Sequence, residues 1–252
     1  MSSLSGKQRM LTQKMTKEAL LIVKGINANE NRENLKASVA LFEKTLIGLQ
    51  KGDETLVLEK TSEKKILQQL DEVTKLWNKF KPVIDSIFKG KKDKKTLTSL
   101  ADQNLPLLSA MNKAVGMYEE VSGADLNELA TVINLSGRQR MLTQKMSKEL
   151  LLVANDVNAS GNRENLKKTV ALFETTLNSL IGGDVASGLQ PTKDNATLAQ
   201  LSVVKTQWDE FKPLIQKVDI SKESLEKVAK LNLPLLAEMN KAVKMYEELS
   251  AN

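Results

Sequence analysis

The sequence predicts an all-α protein built as two tandem antiparallel four-helix bundles, and three observations carry that prediction. The stretch Ser5-Gly6-Lys7-Gln8-Arg9-Met10-Leu11-Thr12-Gln13-Lys14-Met15 returns as Ser136-Gly137-Arg138-Gln139-Arg140-Met141-Leu142-Thr143-Gln144-Lys145-Met146, an offset of 136 − 5 = 131 residues. The likeness runs far beyond this stretch, so the chain reads as two copies of one unit, 1–123 and 124–252. Aromatic residues make up 4% and charged residues 27%, and five Pro interrupt long stretches rich in Leu, Lys, Glu and Ala, which is the composition of a helical bundle.

The first helix of each copy carries the repeated stretch. At about 100° per residue, Leu126, Leu129, Ile133, Gly137, Arg140, Gln144, Ser147 and Leu151 share one face in the second copy. Val132, Leu135, Leu142, Met146, Leu150 and Val153 form an apolar stripe roughly opposite, which joins the helix to its own bundle. A Gly inside a helix costs about 1 kcal/mol against Ala, and close approach of another backbone would offset it. An Arg among apolar neighbours needs an anionic partner or water. Two readings follow: a helix–helix contact with a cationic slot, turned away from the bundle core, or a solvated Arg beside a Gly that permits packing. The second copy has a helical lead-in from Asp125 that the first lacks, so the first helix reads as cut from a longer parent.

In the second helix, Asn31 and Asn162 are placed to cap the segments carrying Leu41-Phe42 and Leu172-Phe173. These helices end near Gly52-Asp53 and Gly183-Asp184, and a loose linker follows, with Gly182, Gly183, Gly188 and Pro191 in the second copy. The third helix holds Trp77-x-x-Phe80-Lys81-Pro82 and Trp208-x-x-Phe211-Lys212-Pro213. Trp and Phe three apart share a face and serve as core anchors, while Pro82 and Pro213 should kink or end the helix. The fourth helix carries Asn104-Leu105-Pro106 and Asn232-Leu233-Pro234, then Tyr118 and Tyr246. The offset here is 232 − 104 = 128, so the second copy is three residues shorter ahead of this helix, a surface-loop change. At the seam, Gly123 suits the end of one helix and Asp125 the cap of the next. A reversal there would lay the bundles side by side and allow the two motif helices to face each other; a continuous helix would stack the bundles end to end and keep the motifs far apart.

The net charge of +6 belongs to residues 1–124, which hold 21 Lys and Arg against 15 Asp and Glu; residues 125–252 hold 16 of each. Much of the excess lies in Lys89–Lys95, expected to be a mobile, exposed loop without a function of its own. No aromatics interleave it, so nucleic acid is not an expected partner. With no Cys and no His, the chain has no thiolate, no imidazole base and no ordinary zinc site. It has no phosphate-binding Gly-x-x-x-x-Gly-Lys-Ser/Thr loop either. No enzyme activity, metal or cofactor is therefore expected. No run of 18 apolar residues is present, so membrane attachment would need segments outside this chain, and no signal peptide is visible. Absence of Cys fits an extracytoplasmic, periplasmic setting.

Leu-Ser-Gly-(Lys/Arg)-Gln-Arg-Met-Leu-Thr-Gln-Lys-Met, at 4–15 and 135–146, resembles the motif of the PilJ-type sensor domain. That is the N-terminal extracytoplasmic domain of type IV pili methyl-accepting chemotaxis transducers. The resemblance covers nearly the whole chain as two copies, and includes the Gly-Asp, Trp-x-x-Phe and Asn-Leu-Pro features. It implies a relation to the sensory domains of nitrate/nitrite sensor kinases, in which a Gly-x-x-Arg-Met stretch from each subunit of a dimer holds nitrate across the two-fold axis. Carried to this sequence, the resemblance implies Gly6 and Gly137 as backbone contacts and Arg9 and Arg140 as anion clamps. Gln13 and Gln144 would line or orient the slot. The implied function is a chemotaxis or signal-transduction sensory module for nitrate or nitrite, acting as a homodimer or an intrachain pseudo-dimer. The alternative is a structural module whose motif face docks a partner protein.

Overall fold

The computed structural model describes residues 2–122, 128–186 and 189–251. Among these residues run eight α-helices: α1 (Ser2–Lys24), α2 (Ala28–Lys51), α3 (Lys64–Phe88), α4 (Lys94–Ser122), α5 (Glu128–Ala154), α6 (Ala159–Gly182), α7 (Asn195–Lys217) and α8 (Lys222–Ala251). They form two compact units, one built on α1 to α4 and the other on α5 to α8. Within each unit the first helix packs between the second and the fourth, and the third closes the ring. The turn expected at Gly123, the cap at Asp125 and the linker's Gly188 lie outside the described residues.

Aromatic anchors hold each ring together. Trp77 lies 4.6 Å from Phe42 and 6.0 Å from Phe80, ring centre to ring centre; Trp208 lies 4.5 Å from Phe173 and 6.3 Å from Phe211. All six rings are buried. The two indoles differ in one respect. Trp77 Nε1 donates to Glu43 Oε1 at 3.2 Å, whereas in the second unit Lys212 takes Glu174 at 2.6 Å and Trp208 Nε1 has no hydrogen-bond partner. Trp208→Ala is expected to cost about 3–5 kcal/mol through the cavity it leaves, read as a lowered midpoint in urea.

Three local expectations are corrected or narrowed. Asn31 and Asn162 lie inside α2 and α6, and the N-caps are Asn27 and Asn158, both in the left-handed conformation. Asn31 Nδ2 donates backwards to the carbonyls of Ile26 (3.0 Å) and Asn27 (3.2 Å), which tightens the α1–α2 turn from within. Pro82 and Pro213 do not end their helices: α3 runs on to Phe88 and α7 to Lys217. Burial of Phe80, Ile84 and Ile87, and of Phe211 and Ile215, holds the helix past the lost donor. Described residues of the linkers after α2 and α6 are tied by hydrogen bonds, where the sequence suggests a loose linker. Asp53 and Leu58 exchange two backbone hydrogen bonds at 2.9 Å, and Asp184 and Leu189 do the same at 2.7 and 3.0 Å. Thr61 and Thr192 then donate their hydroxyls to Leu49 O and Leu180 O, each at 2.6 Å.

The lysine run is exposed but held by hydrogen bonds. Lys91 N bonds back to Ser86 O at 3.0 Å, with Gly90 at φ +89° allowing the reversal. Asp93 then caps α4 by accepting from Thr96 N at 3.0 Å and from its hydroxyl at 2.8 Å.

Candidate functional site

The greater part of each motif helix is buried. From Gln8 to Ile22 every residue except Lys14 is buried, and from Gln139 to Val153 every residue except Lys145. Gly6 and Gly137 are buried as well. Arg9 is 3% exposed and Arg140 5%. In the second unit Gln144, on the same helix face as Arg140, bonds Asn232 on α8 of its own unit. Arg140 lies within electrostatic reach of Glu247 on α8, a helix of its own unit. Burial pushes its guanidinium below the ordinary arginine value, and Glu247 offsets part of that shift. Arg140 Nε and Glu247 Oε1 are both enclosed, and neither has a hydrogen-bond partner. Arg9 belongs to the first unit and Arg140 to the second.

The motif glutamines join helices. Gln144 Nε2 donates to Thr143 Oγ1 (3.1 Å) and to Asn232 Oδ1 on α8 (3.0 Å). Asn232 Nδ2 donates back to Thr143 O (2.8 Å) and Ser147 Oγ (2.9 Å). The first unit repeats the arrangement with Gln13, Thr12, Asn104 and Thr16 at 2.8–3.1 Å. These amide donors are committed to the α1–α4 and α5–α8 seams, so Gln13 and Gln144 can orient the motif helix but have no such donor free for an anion. Asn232→Ala would strand several buried groups at once and is expected to cost about 2–3 kcal/mol. Thermal melts of the variant check this.

Sequence reasoning missed two further sets of motif residues. Gln8 Nε2 donates to Phe42 O at 2.9 Å and Gln139 Nε2 to Phe173 O at 2.8 Å, where they tie the motif helix to the aromatic anchor of the next one. One turn further on, Lys17 and Glu18, with their equivalents Lys148 and Glu149, are 1–2% exposed. Glu149 is bonded by Lys145 at 2.5 Å, and Glu18 is bonded by Lys14. Burial pulls Lys17 and Lys148 down to about 8, with the adjacent glutamates opposing the shift. A readable signal existed, since each Lys-Glu pair directly precedes an apolar run, Ala19–Val23 or Leu150–Val153, and buried charges demand partners.

Among the described residues no group of three or more His, Cys, Asp or Glu could hold a metal ion. No helix among them is long and apolar enough to cross a membrane. Besides the buried Lys-Glu pair, each unit carries a buried guanidinium on a helix with Gly one turn earlier. A family model described as PilJ, type IV pili methyl-accepting chemotaxis transducer N-term, matches residues 3–103 and again residues 124–232. No curated protein matches the chain.

Proposed function

Because the chain belongs to the PilJ family, in two tandem copies, it is a sensory input module of the chemotaxis-transducer type, and we propose that its ligand is a small planar oxyanion, nitrate or nitrite. Arg9 and Arg140 are the binding cations, with Gly6 and Gly137 opening the backbone one turn away. The observation that carries this reading is the state of Arg140. A guanidinium that is nearly fully enclosed and incompletely hydrogen-bonded gains most from a monoanion that accepts from its planar fork. Gln13 and Gln144 act from behind, by fixing the rotation of the helix. Domains of this family are typically the extracellular sensory regions of transducers, and the chain's extracytoplasmic placement is part of the proposal.

The interaction-module reading has its own support, since Glu247 already meets part of the Arg140 charge. Calorimetric titration with nitrate and nitrite separates the two. The sensory reading expects saturable heat, together with a thermal midpoint that rises with anion concentration; the interaction reading expects neither. Light scattering with and without nitrate tests whether a second copy of the chain completes the site.

A further inference from the structure

At one end of the first unit α1 and α3 stop and α2 and α4 begin. Two negative and two positive helix ends meet there, so the helix dipoles largely cancel and side chains set the local charge. A cleft of about 440 Å³ at this corner is lined by Lys24, Arg32, Lys91 and Lys92 beside the apolar Ile22 and Ile87. Among the described residues no carboxylate lines it. Hydrogen bonds anchor the lining. Arg32 Nη1 donates to Phe88 O at 3.0 Å, which uses one of the five donors of a guanidinium. Lys91 and Lys92 stand on the connection pinned by Lys91 N to Ser86 O at 3.0 Å. Carboxylates close by in sequence are engaged elsewhere: Asp85 pairs with Lys81 at 2.9 Å, and Asp93 accepts from Thr96. The second copy departs from the first here. Asn155 replaces Lys24, and the connection Val218-Asp219-Ile220-Ser221 contains no lysine.

We propose that this cleft is a second ligand site, present in the first unit alone, for a small anion bearing two or more negative charges on phosphate or carboxylate groups. It does not depend on Arg9 or Arg140, and it gives the lysine run a role not expected from the sequence. Four like charges around one cleft repel one another, and an anion shared among them offsets that repulsion. A concave wall of one sign also concentrates the field and the counter-ion within it. A dianion gains about twice what a monoanion gains at the same distance, so nitrate is a poor competitor here. The volume suits a small molecule rather than a bare ion, and the isoleucines give its carbon skeleton an apolar surface. An anionic lipid surface would meet the same charges, but Ile22 and Ile87 are buried and offer a bilayer little to grip. A free anion fits the cleft better.

The test titrates pyrophosphate and citrate by calorimetry into the full chain at about 0.15 M salt, where distant surface charges are screened. At least one of the two should bind saturably, and replacing chloride by nitrate at equal ionic strength should leave that binding unchanged. Lys91→Gln with Lys92→Gln should weaken it tenfold or more. Both lysines are exposed, so folding is not at issue. Lys60→Gln with Lys64→Gln removes the same charge from exposed positions at the start of α3 and should change affinity less than twofold. Equal weakening by the two pairs would reduce the effect to general charge and overturn the proposal. Absence of saturable binding by both probes overturns it as well. If the chain then co-sediments with phosphatidylglycerol vesicles only while Lys91 and Lys92 are intact, the corner serves a lipid surface instead. None of these outcomes bears on nitrate binding at Arg9 and Arg140.

Discussion

Replacing Arg9 and Arg140 together by Ala is expected to abolish saturable binding of nitrate and nitrite. Each guanidinium offers charge-assisted hydrogen bonds worth about 1.5–3 kcal/mol, so each single variant should lose more than tenfold in affinity. Arg140→Lys keeps the charge but not the planar fork, and should fall between the parent and the Ala variant. Arg140→Ala also removes a buried side chain from the second unit, which destabilises that unit independently of any ligand. Circular dichroism and thermal melts must therefore accompany the titrations. Unchanged affinity in a folded double variant would remove the anion site and put the interaction-module reading ahead.

The second large effect concerns Lys17 and Lys148. Their folded value of about 8 lies below the 10.5 of an unburied lysine. Between those values the unfolded chain binds more protons than the folded one, so stability rises with pH across that window. Below pH 8 both states are protonated, and the whole penalty of holding the charges inside is present. The difference of 10.5 − 8 = 2.5 for each lysine corresponds to a penalty on the order of 3 kcal/mol apiece. Lys17→Met with Lys148→Met should therefore stabilise the protein at pH 7 by several kcal/mol and flatten the rise between pH 8 and 10. Lys14 and Lys145 still hold Glu18 and Glu149 in that variant, so no carboxylate is stranded. Above pH 10 the buried Tyr118 and Tyr246 act in the opposite sense, because burial raises their values and favours the folded state only while they stay protonated. Urea midpoints at pH 7, 8, 9 and 10 read both effects. A parent protein with no rise between pH 8 and 10 would sink the buried-charge account.

What could be read from the sequence follows from what repeats along it. Helical period, the 131-residue offset and the Trp-x-x-Phe anchors are one-dimensional signals, and they were enough for an all-α fold with two buried indoles. The caps were misread because an Asn that accepts at an N-cap and an Asn that donates backwards from the first turn have the same local sequence. Only the left-handed backbone at Asn27 and Asn158 separates them. The wheel correctly put Gly137, Arg140 and Gln144 on one face, but it could not say which helix covers that face. That depends on how α5 and α8 slide against each other, which also puts Asn232 opposite Gln144. Family resemblance supplied the arginines as candidates. It did not supply the committed glutamine donors.

The unequal indoles give the molecule two built-in optical reporters, one in each unit. Trp77 donates its indole proton to a carboxylate, whereas Trp208 is fully buried and its Nε1 has no hydrogen-bond partner, so their emission bands should separate, with that of Trp208 further to the blue. Single-tryptophan versions made with Trp→Phe would let each unit be watched alone during unfolding or titration. A ligand that engages one copy before the other would then show as two colours changing at two concentrations, with no label attached.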